Sequence, residues 1–193
     1  MDVRTDRVGL LLDQLDSSID FARERLTGLT DDEMMWEPVR GCFSVRRRGD
    51  ARSPRPVGAG DWVLDWGVDD GAPEPFTTIA WRLGHLGAGT AGRWEWTFGD
   101  RRADMDADYP YSASADAMLA ELWAWLQRWR EGVDGLTDEQ LDTVGFGQYP
   151  HGLDPDLPII AIVWWVNREV IHHLAEAATL RDLYANRASL GAG

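Results

Sequence analysis

Lysine is absent from this chain of 193 residues, and every one of its 19 basic residues is arginine. Without an ε-amine no Schiff base can form, so pyridoxal and lysine-based aldol chemistry are excluded. Cysteine is nearly absent too. Cys42 stands alone, which excludes an intramolecular disulfide and any cysteine-rich zinc or iron–sulfur site. That usage fits a reducing, cytoplasmic setting. No run reaches the roughly 20 apolar residues of a membrane helix. The nearest, Leu157 to Val166, runs into Asn167, Arg168 and Glu169, so no membrane partner is expected. The N-terminal Met1 to Asp6 lacks the charged-then-apolar order of a signal peptide. Net positive charge is also missing. A formal charge of −14 argues against nucleic acid as a partner, because phosphate recognition needs a basic face. Arg46, Arg47, Arg48, Arg52 and Arg55 do cluster. Asp61, Asp65, Asp69, Asp70 and Glu74 follow them closely, so the stretch reads as a solvated loop or hairpin.

What is present points to a helical domain spanning residues 1–193. Four stretches carry helical periodicity. They are about Asp6 to Leu26, Thr77 to Phe98, Ala115 to Val133 and Pro158 to Asn186. The last begins apolar almost all round, from Ile159 to Val166, and is expected to be the most buried. Asp156 is its expected N-cap. Gly84, Gly87, Gly89 and Gly92 weaken the second helix by about 1 kcal/mol each relative to alanine. Close approach of a neighbour or a ligand would offset that cost. Thr30 and Glu33, and later Thr137 and Gln140, have capping-box spacing and predict short turns after the first and third helices. Residues 37 to 76 do not read as helix. Cys42–Val45 and Trp62–Trp66 there suggest two short strands of a hairpin. A loop from Gly145 to Leu157 carries Tyr149 and His151. It precedes the fourth helix and is expected to cover the same end of the bundle. Eleven tryptophans exceed what a core requires, and some are expected to line a pocket.

Of the four histidines, His85 lies in the second helix and His172 and His173 in the fourth. Neutral imidazole is a good ligand for borderline divalent metals, and facing helices of a bundle can bring such residues together. Residues four apart share a helix face. Arg168 therefore stacks with His172, Glu169 with His173, and His172 with Glu176. His172 and His173 point about 100° apart and cannot both aim at one metal. His173 follows the face of Ile159, Ile162, Val166 and Glu169, whereas His172 follows that of Trp165 and Arg168.

Several segments resemble the DinB-like superfamily. They are Thr77–Leu86, Leu29–Glu33 with Trp36–Val39 and Gly41–Arg46, and Val166–Glu176 with Leu180–Tyr184. The resemblance covers nearly the whole chain and is nearest to an uncharacterised actinobacterial branch. It implies an all-α four-helix bundle in up-down-down-up order, often a homodimer. It also implies a divalent metal, zinc or nickel, held by three histidines. His85 matches the first and His172 the third. The second falls on Arg168, which has no lone pair for a metal. Three arrangements answer that departure. Glu169 or Glu176 supplies an oxygen, or His173 replaces His172, or the metal is lost and Arg168 binds an anion in its place. Relatives that use small thiols imply a thiol S-transferase of the mycothiol type acting on a small-molecule substrate. Arg82 and Arg168 would then serve as cofactor-binding groups. The other expectation is a non-catalytic binding bundle with a degenerate metal site.

Overall fold

Apolar steps of three and four residues place Leu12, Leu15, Ile19, Ala22 and Leu26 on one buried face of helix α1 (Arg7–Leu26). The computed structural model describes residues 5–68, 72–73 and 75–189. The remaining long helices are α3 (Ile79–Thr97), α5 (Ala115–Asp134) and α6 (Ile159–Ala185). Short helices α2 (Asp31–Met35) and α4 (Met105–Asp108) lie in the connections. Asp6, Thr78 and Ser114 cap α1, α3 and α5 by accepting hydrogen bonds from the first-turn backbone, each worth about 1 kcal/mol. No helix among the described residues is long and apolar enough to cross a membrane.

Side-chain partners fix the direction of each helix. Asn167 donates to the Leu11 carbonyl and Arg25 pairs with Asp182, so α1 and α6 run parallel. Trp94 packs on Trp125 and Phe98 on Trp129, with Gly84 facing Met118, so α3 and α5 are also parallel. Asp16 pairs with Arg130, and Arg23 lies over Trp123, which makes α1 and α5 antiparallel. The order is up-down-down-up, as the resemblance implied.

Parallel α3 and α5 oblige the chain to return along the bundle between them. Residues 98–114 do so, passing Met105 by Gly92, Tyr109 by Gly87 and Tyr111 by Gly84. A methyl group on Gly87 would strike the Tyr109 hydroxyl. The glycines of α3 are therefore docking points for tyrosines. Gly89 is the exception and meets only open space.

Between α2 and α3, strands β1 (Val45–Arg47) and β2 (Trp62–Leu64) pair antiparallel, with Val45 opposite Leu64 and Arg47 opposite Trp62. The first strand thus starts later than expected, because Phe43 bridges to Thr77 instead. The charged stretch is also less solvated than expected. Asp65 is 0% exposed. Its carboxylate accepts from the backbone N–H groups of Ser44, Arg52 and Ser53 and from Arg46 Nε. Arg46 and Arg52 also pair with Glu37. Asp69, Asp70 and Glu74, like Met1 to Arg4, lie outside the described residues.

Thr30 and Glu33 form a complete capping box. Thr137 and Gln140 exchange the same two bonds, but over a tight turn at Gln140–Asp142. Asp156 does not cap α6. It ends a turn at Asp154–Asp156, and Pro158 occupies the N-cap without a side-chain bond.

Candidate metal centre

The antiparallel seam of α3 and α6 gathers the ligating residues. Glu169 and His173 share the inward face of α6 that Ile159, Ile162 and Val166 define. His85 meets them from α3. Glu169 Oε2 lies 3.1 Å from His173 Nε2 and 3.8 Å from His85 Nε2. One ligand atom from each of the three residues falls within 4.8 Å of the others. The two imidazoles stand nearly perpendicular, with centroids 4.9 Å apart.

His172 is a correction. It is exposed, and the structure does not bring it to His85. The inward register of α6 runs through residues 169 and 173, one position later than the resemblance implied. The choice of His173 over His172 follows from the apolar face that buries α6. Glu176 does not join the three ligand atoms. Its Oε2 bonds His173 Nδ1 at 2.9 Å, leaving Nε2 to point at Glu169. A carboxylate on the far nitrogen orients a ligating imidazole and raises its basicity. Arg82 reaches both Glu176, at 3.1 Å, and His173 Nδ1, at 3.4 Å. Arg168 donates to the other oxygen of Glu169 at 2.9 Å. It thus holds the carboxylate in place and stands beside the cluster, not within it.

Two imidazoles and one carboxylate fit a divalent transition metal. Catalytic zinc sites use that set and keep a fourth position open, and non-haem iron sites use it as well. Burial holds the His85 pKa below its ordinary value, so its lone pair is free near neutrality. Hydrogen bonds from His173, then His85 and Arg168, hold Glu169 well below the usual carboxylate range.

These shifts make the metal-free fold acid-sensitive. The unfolded His85 takes up a proton as pH falls through 6.5, while the folded one resists. Stability is therefore lost below that pH. Glu169 adds a second loss. Its contribution is complete above 4.5 and disappears as pH falls through its lower folded value. The urea midpoint of chelated protein is expected to drop between about pH 7 and pH 5. The drop should shrink in His85→Gln, and a midpoint independent of pH in the wild type would exclude this account.

Aromatic rings frame His85. Trp81, one turn earlier on α3, stacks on it at 4.8 Å between centroids, and Trp66, just beyond β2, stacks at 5.3 Å. The Trp81 indole N–H donates to the Asp65 carbonyl, tying the hairpin to α3. Sequence reasoning expected pocket tryptophans without naming these two. The four-residue step from Trp81 to His85 was the available signal for one of them. Two cavities flank Trp66. One, of about 340 Å³, is lined by Phe43, Arg55, Trp81 and Arg82. The other, of about 390 Å³, runs along α3 from His85 past Gly89 to Arg93, with Tyr149 and Trp165 in its walls. A second group of metal-ligating type, Asp104, Asp106 and His151, lies near its far end. Asp104 is there engaged in capping α4.

Fold and site together define an all-α bundle with a histidine–carboxylate cluster in one helical seam. The family model described as the DinB superfamily matches residues 14–177, and the chain belongs to that superfamily. No curated protein and no solved structure matches the chain.

Proposed function

We propose that this protein is a metal-dependent enzyme that joins a low-molecular-weight thiol of the mycothiol type to a small electrophile. The observation that carries the reading is the His85–Glu169–His173 cluster, whose His85 lines an open cavity. Zinc or nickel bound there would supply Lewis acidity and lower the pKa of a coordinated thiol or water. The chain's own residues do the rest. Glu176 and Arg168 orient the ligands, Trp66 and Trp81 present flat walls, and Arg82 places positive charge at the neighbouring cavity. Cys42 is not a competing nucleophile. It is buried, its thiol donates to the Val39 carbonyl, and burial pushes its pKa up. The reacting sulfur therefore comes from a cosubstrate.

Metal-loaded protein is expected to accelerate the loss of mycothiol in the presence of an alkyl or aryl halide, with thioether formation and halide release. Chelation should abolish it. Saturation with metal and no thioether would reject the transferase.

A second reading, a non-catalytic binding bundle, is favoured by one observation. Arg168 and Arg82 already neutralise Glu169 and Glu176 without a metal. Under that reading ligand binding survives chelation unchanged.

A cytoplasmic homodimer belongs to the same proposal. Phe21, 61% exposed, and Ile171 flank an apolar groove between α1 and α6 that a second copy would cover. A monomer in sedimentation would remove that part.

A further inference from the structure

Arg93 is a charged residue of the His85 cavity that the metal cluster does not use. It lies two turns beyond His85 on α3, about 12 Å along the helix. It is 9% exposed, yet it forms part of the cavity wall. Its guanidinium rests 3.6 Å from the centroid of Trp165 and 4.6 Å from that of Tyr149. Its nearest carboxylate, Asp154 Oδ2, is 3.5 Å from Nε. Neither atom has a hydrogen-bond partner among the described residues. Such a pair is unusual. A buried guanidinium carries five N–H donors and ordinarily has several of them bonded.

An arginine held between rings and lining a cavity, with its Nε lacking a hydrogen-bond partner among the described residues, is prepared for a ligand. Planar carboxylates match its fork with two parallel hydrogen bonds. Asp154 and Asp106 nearby disfavour a more highly charged phosphate, while a single negative charge is tolerated. Aromatic walls suit a flat body, and about 390 Å³ admits a small one.

We propose that Arg93 anchors the carboxylate of a small, flat carboxylic acid, whose other end reaches His85. On the metal-site reading, the substrate would be a flat aromatic acid. The assignment of a reacting end rests on the metal-site reading above, but the anchor itself requires no metal. Asp154 holds Arg93 in position and competes with the ligand for it.

Benzoate and benzamide share a shape and differ in charge, so they test this directly. Binding is read from tryptophan fluorescence on chelated full-length protein and repeated with zinc. The wild type should prefer benzoate by about tenfold, the size of one charge-assisted contact. Arg93→Gln should lose that preference. Because it leaves Asp154 buried alone, Arg93→Gln/Asp154→Asn is measured beside it, with near-UV circular dichroism as the check on fold. Asp154→Asn alone should tighten benzoate, since it removes the competing carboxylate. A merely structural ion pair predicts no such gain. The proposal is overturned if the wild type does not bind benzoate or does not discriminate. It is equally overturned if the folded double variant keeps the preference, or if Asp154→Asn folds and fails to gain affinity. His173→Ala separates the two readings. Loss of metal with benzoate binding retained leaves the anchor standing, and the reverse result removes the anchor alone.

Discussion

His173→Ala is expected to lower affinity for zinc or nickel by more than about a hundredfold, while His172→Ala leaves it within about twofold. The contrast between adjacent histidines is the sharpest statement the structure makes. His173 Nε2 faces Glu169 in the cluster, and its Nδ1 is held by Glu176. His172, one position earlier, is exposed. Outer partners of a metal ligand typically cost ten- to a hundredfold when removed, so loss of one of three ligands should exceed that range. Competition with a chromophoric chelator measures both variants, and elemental mass spectrometry gives the stoichiometry. The reverse pattern, with loss in His172→Ala alone, would place the site in the register of Arg168 and His172. Retention of full affinity in His173→Ala would remove the cluster as the site.

Asp65→Ala should destabilise the fold by about 3–5 kcal/mol, the usual cost of leaving a buried charge network with one partner missing. Four donors converge on this carboxylate: three backbone N–H groups and Arg46. Alanine leaves them buried without an acceptor. The effect also reaches the site, because Trp66 follows Asp65 directly and Trp81 is tied to the Asp65 carbonyl. Urea unfolding gives the stability change. The change in tryptophan fluorescence on zinc addition, compared with the wild type, reports the local one. A loss below about 1 kcal/mol would mean that water replaces the carboxylate and the hairpin is looser than the structure shows.

The helices were legible because three of the long ones carry an apolar stripe and α6 begins apolar almost all round, and their observed ends fall within two residues of the periodic stretches. The hairpin was legible as a non-helical segment with two aromatic runs, though its register depended on the Phe43–Thr77 bridge, a contact between distant segments. At the site, periodicity alone left both histidines open, His173 on the face of Ile159, Ile162, Val166 and Glu169 and His172 on that of Trp165 and Arg168. The family resemblance pulled the ligand one residue toward His172. Register within a packed helix follows burial, and here burial was the better guide. Asp65 and Arg93 were not legible. A charged residue reads as solvated in any local window, and only the tertiary fold closes over it. The glycines of α3 suggested close approach, but nothing in their spacing named tyrosines as the visitors.

The seam that holds the cluster also dictates when it can exist. His85 is synthesised well before Glu169 and His173, and the trench that α6 fills stays open until α6 has been made. A nascent chain halted before Ile159 would display the inner faces of α1 and α3 to solvent, a surface that invites aggregation and chaperones. It would hold one histidine of the cluster and none of its carboxylates. Metal could not help such an intermediate fold through a three-ligand grip, because two of the three residues arrive with the last long helix. Occupancy would then serve as a late seal: it would reward only chains whose α3 and α6 have already found each other.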